Sequence, residues 1–259
     1  MKNKKAIIFG GMGFVGFNIA KKLCEYNFEC DIVDIKKNKL KYNFLKSKFS
    51  KKVNFFFVDI SKINFIKKFK FKNYDYIFDC AATLGVDRIV NNSFSSFQNN
   101  INITFNIADF AKRQKKLKKI IFMSSREVYD GNISHKIKKP PNKENTFLSI
   151  SNLYRPRTIY MLSKIVGEVI YINSRLPYLN LRLHNVIGPH MYKFHGIPTF
   201  IRKIKFKKKL NFFNKNHIRS YIFIDEAIQQ IIKLSLNKNI KNEAINIGNT
   251  KNIFKNKSI

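Results

Sequence analysis

The chain has 259 residues and a formal net charge of +34 at pH 7, with 50 Lys and Arg residues against 16 Asp and Glu. Its lysines are scattered and accompanied by abundant Asn, Ile and Phe, which indicates a biased genome, so we expect no specific nucleic-acid partner. No apolar stretch is long enough for a membrane span, and three cysteines without metal-ligand spacing favour a reduced, cytoplasmic protein with no metal site and no membrane partner.

Apolar strand patterns alternate with longer helical patterns through the first two-thirds of the chain. We predict strands at 5–10, 29–34, 53–58, 75–80, 118–124 and 178–184, and helices near 14–26, 61–69, 95–114 and 156–174. This alternation predicts an α/β fold with a doubly wound parallel sheet and helices on both faces.

The later part of the chain is less regular. Residues 136–148 contain Pro140-Pro141 and many polar residues, which is typical of a loop. After Gly188-Pro189 the pattern weakens into short pieces. We therefore predict a nucleotide-binding domain with the catalytic residues over 1–184, and a small, partly interleaved lobe over 185–259.

A glycine-rich segment follows the first predicted strand and opens the first predicted helix, where Phe14 and Val15 begin the helical pattern. Gly10 permits a tight turn, Gly13 lets the backbone approach a pyrophosphate, and Gly16 allows close packing of helix on strand. The helix N-terminus offers free N–H groups to the phosphates. The segment predicts a dinucleotide site.

Acidic residues end the next two predicted strands. Asp34 lies where the ribose hydroxyls of a dinucleotide are expected and favours NAD over NADP, although Lys36 and Lys37 could meet a 2′-phosphate. Asp59 and the following Ile60 fit the adenine edge. An alternative interpretation of Asp59 is a helix N-cap for the segment that starts at Ser61.

Three residues form a candidate reacting group. Tyr160 and Lys164 are four apart on one predicted helix and share a face. A nearby ammonium group lowers the pKa of a phenol, which suits Tyr160 as a base. Ser125, at the end of the fifth predicted strand, could share the substrate proton.

In combination these motifs resemble the extended short-chain dehydrogenases/reductases of the NAD-dependent epimerase/dehydratase family, which modify nucleotide sugars. The likeness runs from Ala6 to about Asn249 and rests on the glycine turn, the Tyr160/Lys164 pair, Cys80-Ala81-Ala82, Ser124-Ser125-Arg126-Glu127-Val128-Tyr129, Leu181-Arg182-Leu183-His184-Asn185-Val186-Ile187-Gly188-Pro189, Arg219-Ser220-Tyr221-Ile222-Phe223-Ile224-Asp225 and Ile245-Asn246-Ile247-Gly248-Asn249.

The resemblance implies a Rossmann fold, NAD as cofactor, a nucleoside-diphosphate sugar as substrate and a homodimer. By that likeness, Ala81 and Ala82 line the cofactor and Asn100 supports the site. Asn185 would contact the sugar or phosphate, and Arg219 would bind the diphosphate. Relatives usually continue for tens of residues beyond the position of Gly248, so the substrate lobe is expected to be shortened.

Residues 126 and 127 bear on the choice of reaction. Glu127 is placed where the family's dehydratases and decarboxylases carry a glutamate base near sugar C5. The dehydratases typically precede it with an aspartic acid, whereas this chain has Arg126, which does not release a proton near neutral pH. Arg126 could instead hold a substrate carboxylate. An ion pair between Arg126 and Glu127 is an alternative interpretation.

The sequence therefore predicts an NAD-dependent nucleotide-sugar epimerase that oxidises sugar C4 transiently, with Glu127 as an optional second base. A 4,6-dehydratase and a UDP-glucuronate decarboxylase are the alternatives within the family. A non-catalytic NAD-binding protein and a simple alcohol dehydrogenase are alternatives of other classes.

Overall fold

The computed structural model describes residues 4–69, 73–83, 93–138, 140–192, 195–207, 209, 218–249 and 253–255. Within them, seven parallel strands form the main sheet, in the spatial order β3-β2-β1-β4-β5-β6-β9. Their bounds are β1 Lys5–Phe9, β2 Glu29–Asp34, β3 Val53–Phe57, β4 Tyr76–Asp79, β5 Lys119–Ser125, β6 Tyr178–Leu183 and β9 Glu243–Ile247. The predicted doubly wound parallel sheet is confirmed.

Helices connect these strands. The α-helices are α1 Phe14–Glu25, α2 Lys39–Phe49, α3 Ser93–Lys112, α4 Asp130–Ser134, α5 Pro156–Asn173, α6 Gly196–Lys205 and α7 Ile224–Leu236, and two 3₁₀ helices span Ile63–Phe69 and Arg126–Tyr129. In the part of the chain that is described, residues 136–148 form neither helix nor strand, as predicted.

The alternation of side chains along β1 divides the interior into two cores. Ala6 and Ile8 point to the core that α1 and α7 cover, whereas Ile7 and Phe9 point to the core under the 3₁₀ helix Ile63–Phe69, α3 and α5. Both faces of β1 are thus buried, which explains its continuous apolar run.

A smaller sheet lies beside the main one. Strand β7 (Asn185–Ile187) pairs in parallel with β8 (Ile218–Phe223), and β8 pairs in antiparallel fashion with β10 (Ile253–Lys255). The chain returns from this lobe to the main sheet, because α7 packs on α1 and β9 pairs with β6. The boundary at residue 184 stays a prediction.

The predicted strands and helices in the first two-thirds all have counterparts, although 61–69 forms a shorter 3₁₀ helix. Helix α2 was not predicted, since its buried positions are Lys41 and Leu45, and a buried lysine hides the apolar pattern. Helix α7 was also missed, although its buried residues recur at helical spacing.

Candidate active site

The glycine-rich turn between β1 and α1 leaves no room for a side chain at its glycine positions. Gly10 has a φ of +74°, and a Cβ there would lie 2.7 Å from the carbonyl oxygen of Cys80. A Cβ on Gly16 would lie 2.4 Å from the carbonyl oxygen of Gly10, and one on Gly13 would lie 2.9 Å from it. This bare backbone opens α1, whose start carries no side-chain cap, so it fits the pyrophosphate of a dinucleotide. Phe14 and Val15 pack against the core below.

Two charged side chains hold this turn from outside. The Asp34 carboxylate accepts a hydrogen bond from the backbone N–H of Met12 (2.9 Å), which places the end of β2 beside the turn. The buried Lys41 ammonium donates to the carbonyl oxygens of Met12 (3.0 Å) and Gly13 (2.9 Å). Burial lowers the pKa of Lys41 to about 8, against the raising effect of Asp34. Sequence reasoning missed Lys41.

The residues after β3 and β4 lie at the same, carboxyl edge of the sheet. Asp59 accepts hydrogen bonds from the N–H and the hydroxyl of Ser61, but the helix begins only at Ile63, so Asp59 closes a turn ahead of the helix and is not its N-cap; Ile60 is buried. Ala81 and Ala82 are half-buried, and the backbone nitrogen of Ala81 lies beside Gly10.

Asn100 joins this edge to α5. Its buried side-chain oxygen accepts the N–H of Thr83 (2.7 Å), and its amide donates to the hydroxyl of Ser163 (3.4 Å). Asn100 thus supports the segment that follows Ala82, although its predicted cofactor role stays a prediction.

Ser125, Tyr160 and Lys164 come together where β5 ends and α5 begins. Ser125 is buried, and its hydroxyl accepts the N–H of Glu127 (3.2 Å). Burial raises the pKa of Tyr160, the charge of Glu127 raises it further, and Ser125 and Arg157 act in the opposite direction. The lowered pKa expected for Tyr160 is therefore not found, because burial and Glu127 outweigh the favourable contacts.

Lys164 lies next to Tyr160 in a dry environment. Its Nζ donates to the carbonyl oxygen of Met123 (2.8 Å) and lies 5.8 Å from the ring centre of Tyr160. Burial lowers the pKa of Lys164, and the negative charges of Asp79 and Glu168 oppose this shift, with Asp79 contributing more.

Glu127 is buried between two guanidinium groups. Its Oε1 accepts from Arg157 at 2.7 Å and from Arg126 at 3.3 Å. The ion pair of the alternative interpretation exists, but Arg157 is its closer partner and was not predicted. Arg157 precedes Tyr160 by three residues on α5, which is the signal that could have found it.

Arg126 also lies near His184, the residue that follows β6. Burial lowers the pKa of the His184 imidazole, and the positive charge of Arg126 lowers it further. The Nε of Arg126 is buried and has no hydrogen-bond partner among the described residues. Arg126 therefore retains capacity for an acceptor at the site.

The predicted substrate residues follow in β7 and β8. The Asn185 amide donates to the carbonyl oxygen of Ser220 (2.9 Å) and so ties the two strands together. Arg219 lies in β8, but its side chain is outside what the structure describes. The structure brings Ser125, Glu127, Tyr160 and Lys164 together and leaves the part played by Asn185 and Arg219 as a prediction.

A buried network stabilises this region. Arg182 on β6 forms an ion pair with Glu168 on α5 (2.7 Å) and donates to the hydroxyl of Tyr129 (2.7 Å). Ser124 donates to the same Glu168. These contacts fix α5, and with it Tyr160 and Lys164, against the ends of β5 and β6.

Two features are absent from the described residues. None of their helices is sufficiently long and apolar to cross a membrane. They contain no group of three or more His, Cys, Asp or Glu side chains arranged to hold a metal ion.

Comparison with known proteins identifies relatives over nearly the whole chain. The sequence profile of the NAD dependent epimerase/dehydratase family matches residues 6–248. The chain is 28% identical to UDP-N-acetyl-alpha-D-glucosaminuronate decarboxylase of Bacillus cytotoxicus, over 95% of this chain and 75% of the relative. It is 30% identical to a putative UDP-glucose 4-epimerase of Methanocaldococcus jannaschii, over 95% of this chain and 77% of the relative.

A solved structure has the same fold. That of UDP-N-acetylglucosamine 4-epimerase from Methanobrevibacter ruminantium M1, in complex with UDP-N-acetylmuramic acid, has a TM-score of 0.79 and 26% identity, and covers 96% of this chain and 77% of that one.

Proposed function

Because the chain belongs to the NAD-dependent epimerase/dehydratase family, whose cofactor is NAD, we propose that it is a nucleoside-diphosphate-sugar epimerase acting by transient oxidation at sugar C4. The observation that carries this choice is the pairing of Glu127 with Arg157 at 2.7 Å. Taking the C5 proton in an elimination, or delivering a proton to C5 after decarboxylation, would require Glu127 to become protonated at some stage, and protonation would disrupt this ion pair. Epimerisation at C4 needs no second base.

The site has a candidate residue for each step of this reaction. Gly10, Gly13 and Gly16 would admit the pyrophosphate of NAD, with Asp34 at the ribose. NAD, when bound, supplies the acceptor and then the donor of the C4 hydride. Tyr160 takes the proton of the sugar 4-hydroxyl and later returns it, and Ser125 hydrogen-bonds the same oxygen.

Lys164 supplies positive charge near Tyr160. A buried phenol with a raised pKa is a poor base until positive charge stabilises its ionised form. Nζ of Lys164 has three donors, of which the contact with Met123 uses one, so the others are available for the ribose of NAD. Asn185 and Arg219 would hold the nucleotide part of the substrate.

A UDP-uronate decarboxylase is the second candidate. It is favoured by the buried Nε of Arg126, for which the described part of the chain supplies no acceptor, because a carboxylate substituent on the sugar would supply one. The relative from Bacillus cytotoxicus carries this kind of activity in its name.

Proton NMR of a nucleotide-sugar panel in deuterated water, with NAD added, tests the proposal. The panel is UDP-glucose, UDP-N-acetylglucosamine, UDP-glucuronate and dTDP-glucose. We expect a C4 epimer without deuterium, since hydride returns to C4 and C5 is not touched. Deuterium at C5 with loss of carbon dioxide or of the 6-hydroxyl would overturn the epimerase assignment.

The matched control for this experiment is Tyr160→Phe, which removes one oxygen. It should abolish turnover and leave NAD affinity, measured by calorimetry, within about twofold. An unchanged sugar with wild-type protein and bound NAD would favour the non-catalytic alternative.

We also propose a homodimer that forms through α3 and α5, which pack side by side on one face of the sheet. Apolar side chains on their outer faces remain exposed: Phe105 to 54%, and Val169 and Ile172 to 50% each. A second copy would cover them. The free thiols of Cys24, Cys30 and Cys80 support the cytoplasm as the compartment.

A further inference from the structure

A buried carboxylate lies behind the candidate reacting residues. Asp79 ends β4, is 1% exposed, and pairs in the sheet register with Phe122 of β5. Its carboxylate accepts hydrogen bonds from the hydroxyl of Tyr171 (2.7 Å) and from the N–H of Ala81 (3.3 Å). No part of the proposed reaction accounts for it.

Phe122 connects Asp79 to Lys164. The Phe122 ring lies 4.7 Å from Nζ of Lys164 and 5.2 Å from the ring of Tyr171, which is two helical turns further along α5. Gly167 allows this approach, because a Cβ there would lie 2.4 Å from the Phe122 ring. Asp79, Lys164 and Tyr171 therefore surround one aromatic ring.

Of the two carboxylates near Lys164, only one has a cation of its own in the described part of the chain. Glu168 is already neutralised by Arg182 through two hydrogen bonds of 2.7 and 2.9 Å. Among the described residues, no cation lies within ion-pair distance of Asp79. An ammonium buried without a counter-charge would lose its proton, so Asp79 is the carboxylate left to balance Lys164.

Resting on the proposed function, we propose that Asp79 is a positioning residue that acts through Lys164. Its buried carboxylate is the counter-charge that keeps Lys164 an ammonium ion beside Tyr160, and Tyr171 holds that carboxylate in place.

The consequence is a dependence on pH. The titratable and charged groups around Lys164 come from β4 and the residue after it, from α5 and from β6; they are Asp79, Cys80, Tyr160, Glu168, Tyr171 and Arg182. Asp79 raises the pKa of Lys164, so its removal lowers that pKa. In a variant that lacks the Asp79 charge, the steps that need the ammonium form of Lys164 therefore fail at a lower pH than in the wild type.

The test compares Asp79→Asn with a matched control, Asp31→Asn. Asp31 is another buried carboxylate (6% exposed), it accepts the hydroxyl of Tyr74 at 2.6 Å, and it lies on β2 away from α5. NAD affinity is measured by calorimetry and turnover by kcat/KM, both between about pH 6 and about pH 10.

We expect the high-pH loss of NAD affinity and of turnover to begin about one pH unit lower in Asp79→Asn, and to be unmoved in Asp31→Asn. Unshifted profiles in Asp79→Asn, or an equal shift in the control, would overturn the inference. If Asp79→Asn does not fold, Asp79→Ser, which also removes the negative charge, decides in its place by the same criterion.

The NAD titrations need no sugar. If no sugar is turned over, the proposed function fails while the affinity profile still decides the role of Asp79. If sugars are turned over but the profiles coincide, the role of Asp79 fails and the proposed function stands.

Discussion

At the scale of single residues, the acidity of Tyr160 depends on charges of both signs placed around its phenol. Glu127 raises the pKa of Tyr160 and Arg157 lowers it, while Arg157 is itself paired with Glu127. The two candidate reactions make opposite demands on Glu127, so this residue separates them.

For the proposed epimerase, we expect Glu127→Gln to keep activity and to move the rising limb of kcat/KM to lower pH. The substitution removes a negative charge that disfavours the phenolate, so Tyr160 ionises more readily. The measurement is the pH profile of kcat/KM with the accepted sugar.

Asp130→Asn is the control, because it removes a carboxylate paired with Arg155 at 3.1 Å on the outer side of the site. Its profile should match the wild type. A decarboxylase or dehydratase would instead lose about a hundredfold or more in Glu127→Gln, since its base would be gone.

The sequence predicts residues whose role depends on local backbone, and it misses residues whose role depends on partners far along the chain. The requirement for Gly10 and Gly16 arises within one turn, and the spacing of Tyr160 and Lys164 arises within one helix. The pairing of Glu127 with Arg157, 30 positions apart, depends on how α5 is rotated over β5. The sequence therefore predicts candidate reacting residues but not the charges around them.

At the scale of elements, α2 serves the glycine turn as a support. Lys41 of this helix donates to the carbonyl oxygens of Met12 and Gly13. These carbonyl groups share their peptide planes with the N–H groups of Gly13 and Phe14 at the start of α1. The side chain of Asn38 caps the helix by accepting a hydrogen bond from the backbone N–H of Lys41, which fixes the position of Lys41 in the first turn of α2.

We expect Lys41→Met to weaken NAD binding about tenfold, because two buried carbonyl groups lose their donor and the turn rearranges. The pKa of Lys41 is about 8 in the fold and about 10.4 in an unfolded chain, so between these values the unfolded state binds more protons. The contribution of Lys41 to the free energy of unfolding is therefore smaller at neutral pH and grows as the pH rises from about 8 to about 10.4.

Calorimetry for NAD and thermal unfolding from about pH 7 to about pH 10 measure both effects. The variant should lack the stabilisation by rising pH. Lys46→Met, on the exposed side of α2, should change neither quantity. Equal behaviour of the two variants would contradict the role given to Lys41.

Strands were easier to predict than the later elements for a physical reason. β1, β4 and β5 are buried on both faces, so their apolar runs are continuous. Helix α6 has ten residues, none of them buried, and β7 has only three residues, so both are short segments that are difficult to delimit from the sequence. The small lobe was therefore predicted as a region without its individual elements.

At the scale of the whole molecule, the homodimer proposed through α3 and α5 can be tested by its mass in solution. We expect light scattering to give twice 30.5 kDa for the wild type, and close to 30.5 kDa for Ile172→Glu, because a charge would be buried in the apolar contact. Leu40→Glu is the control, since Leu40 is also exposed but lies on α2. A wild type with the mass of one chain would contradict the dimer.

The return of the chain to the main sheet constrains how the protein is made on the ribosome. Until residues 224–247 have been synthesised and have left the exit tunnel, α1 lacks its partner α7, and β6 is an open edge awaiting β9. The nucleotide-binding half therefore remains an unfinished sheet for most of translation, and chaperones that shield apolar surface would act mainly on that growing chain.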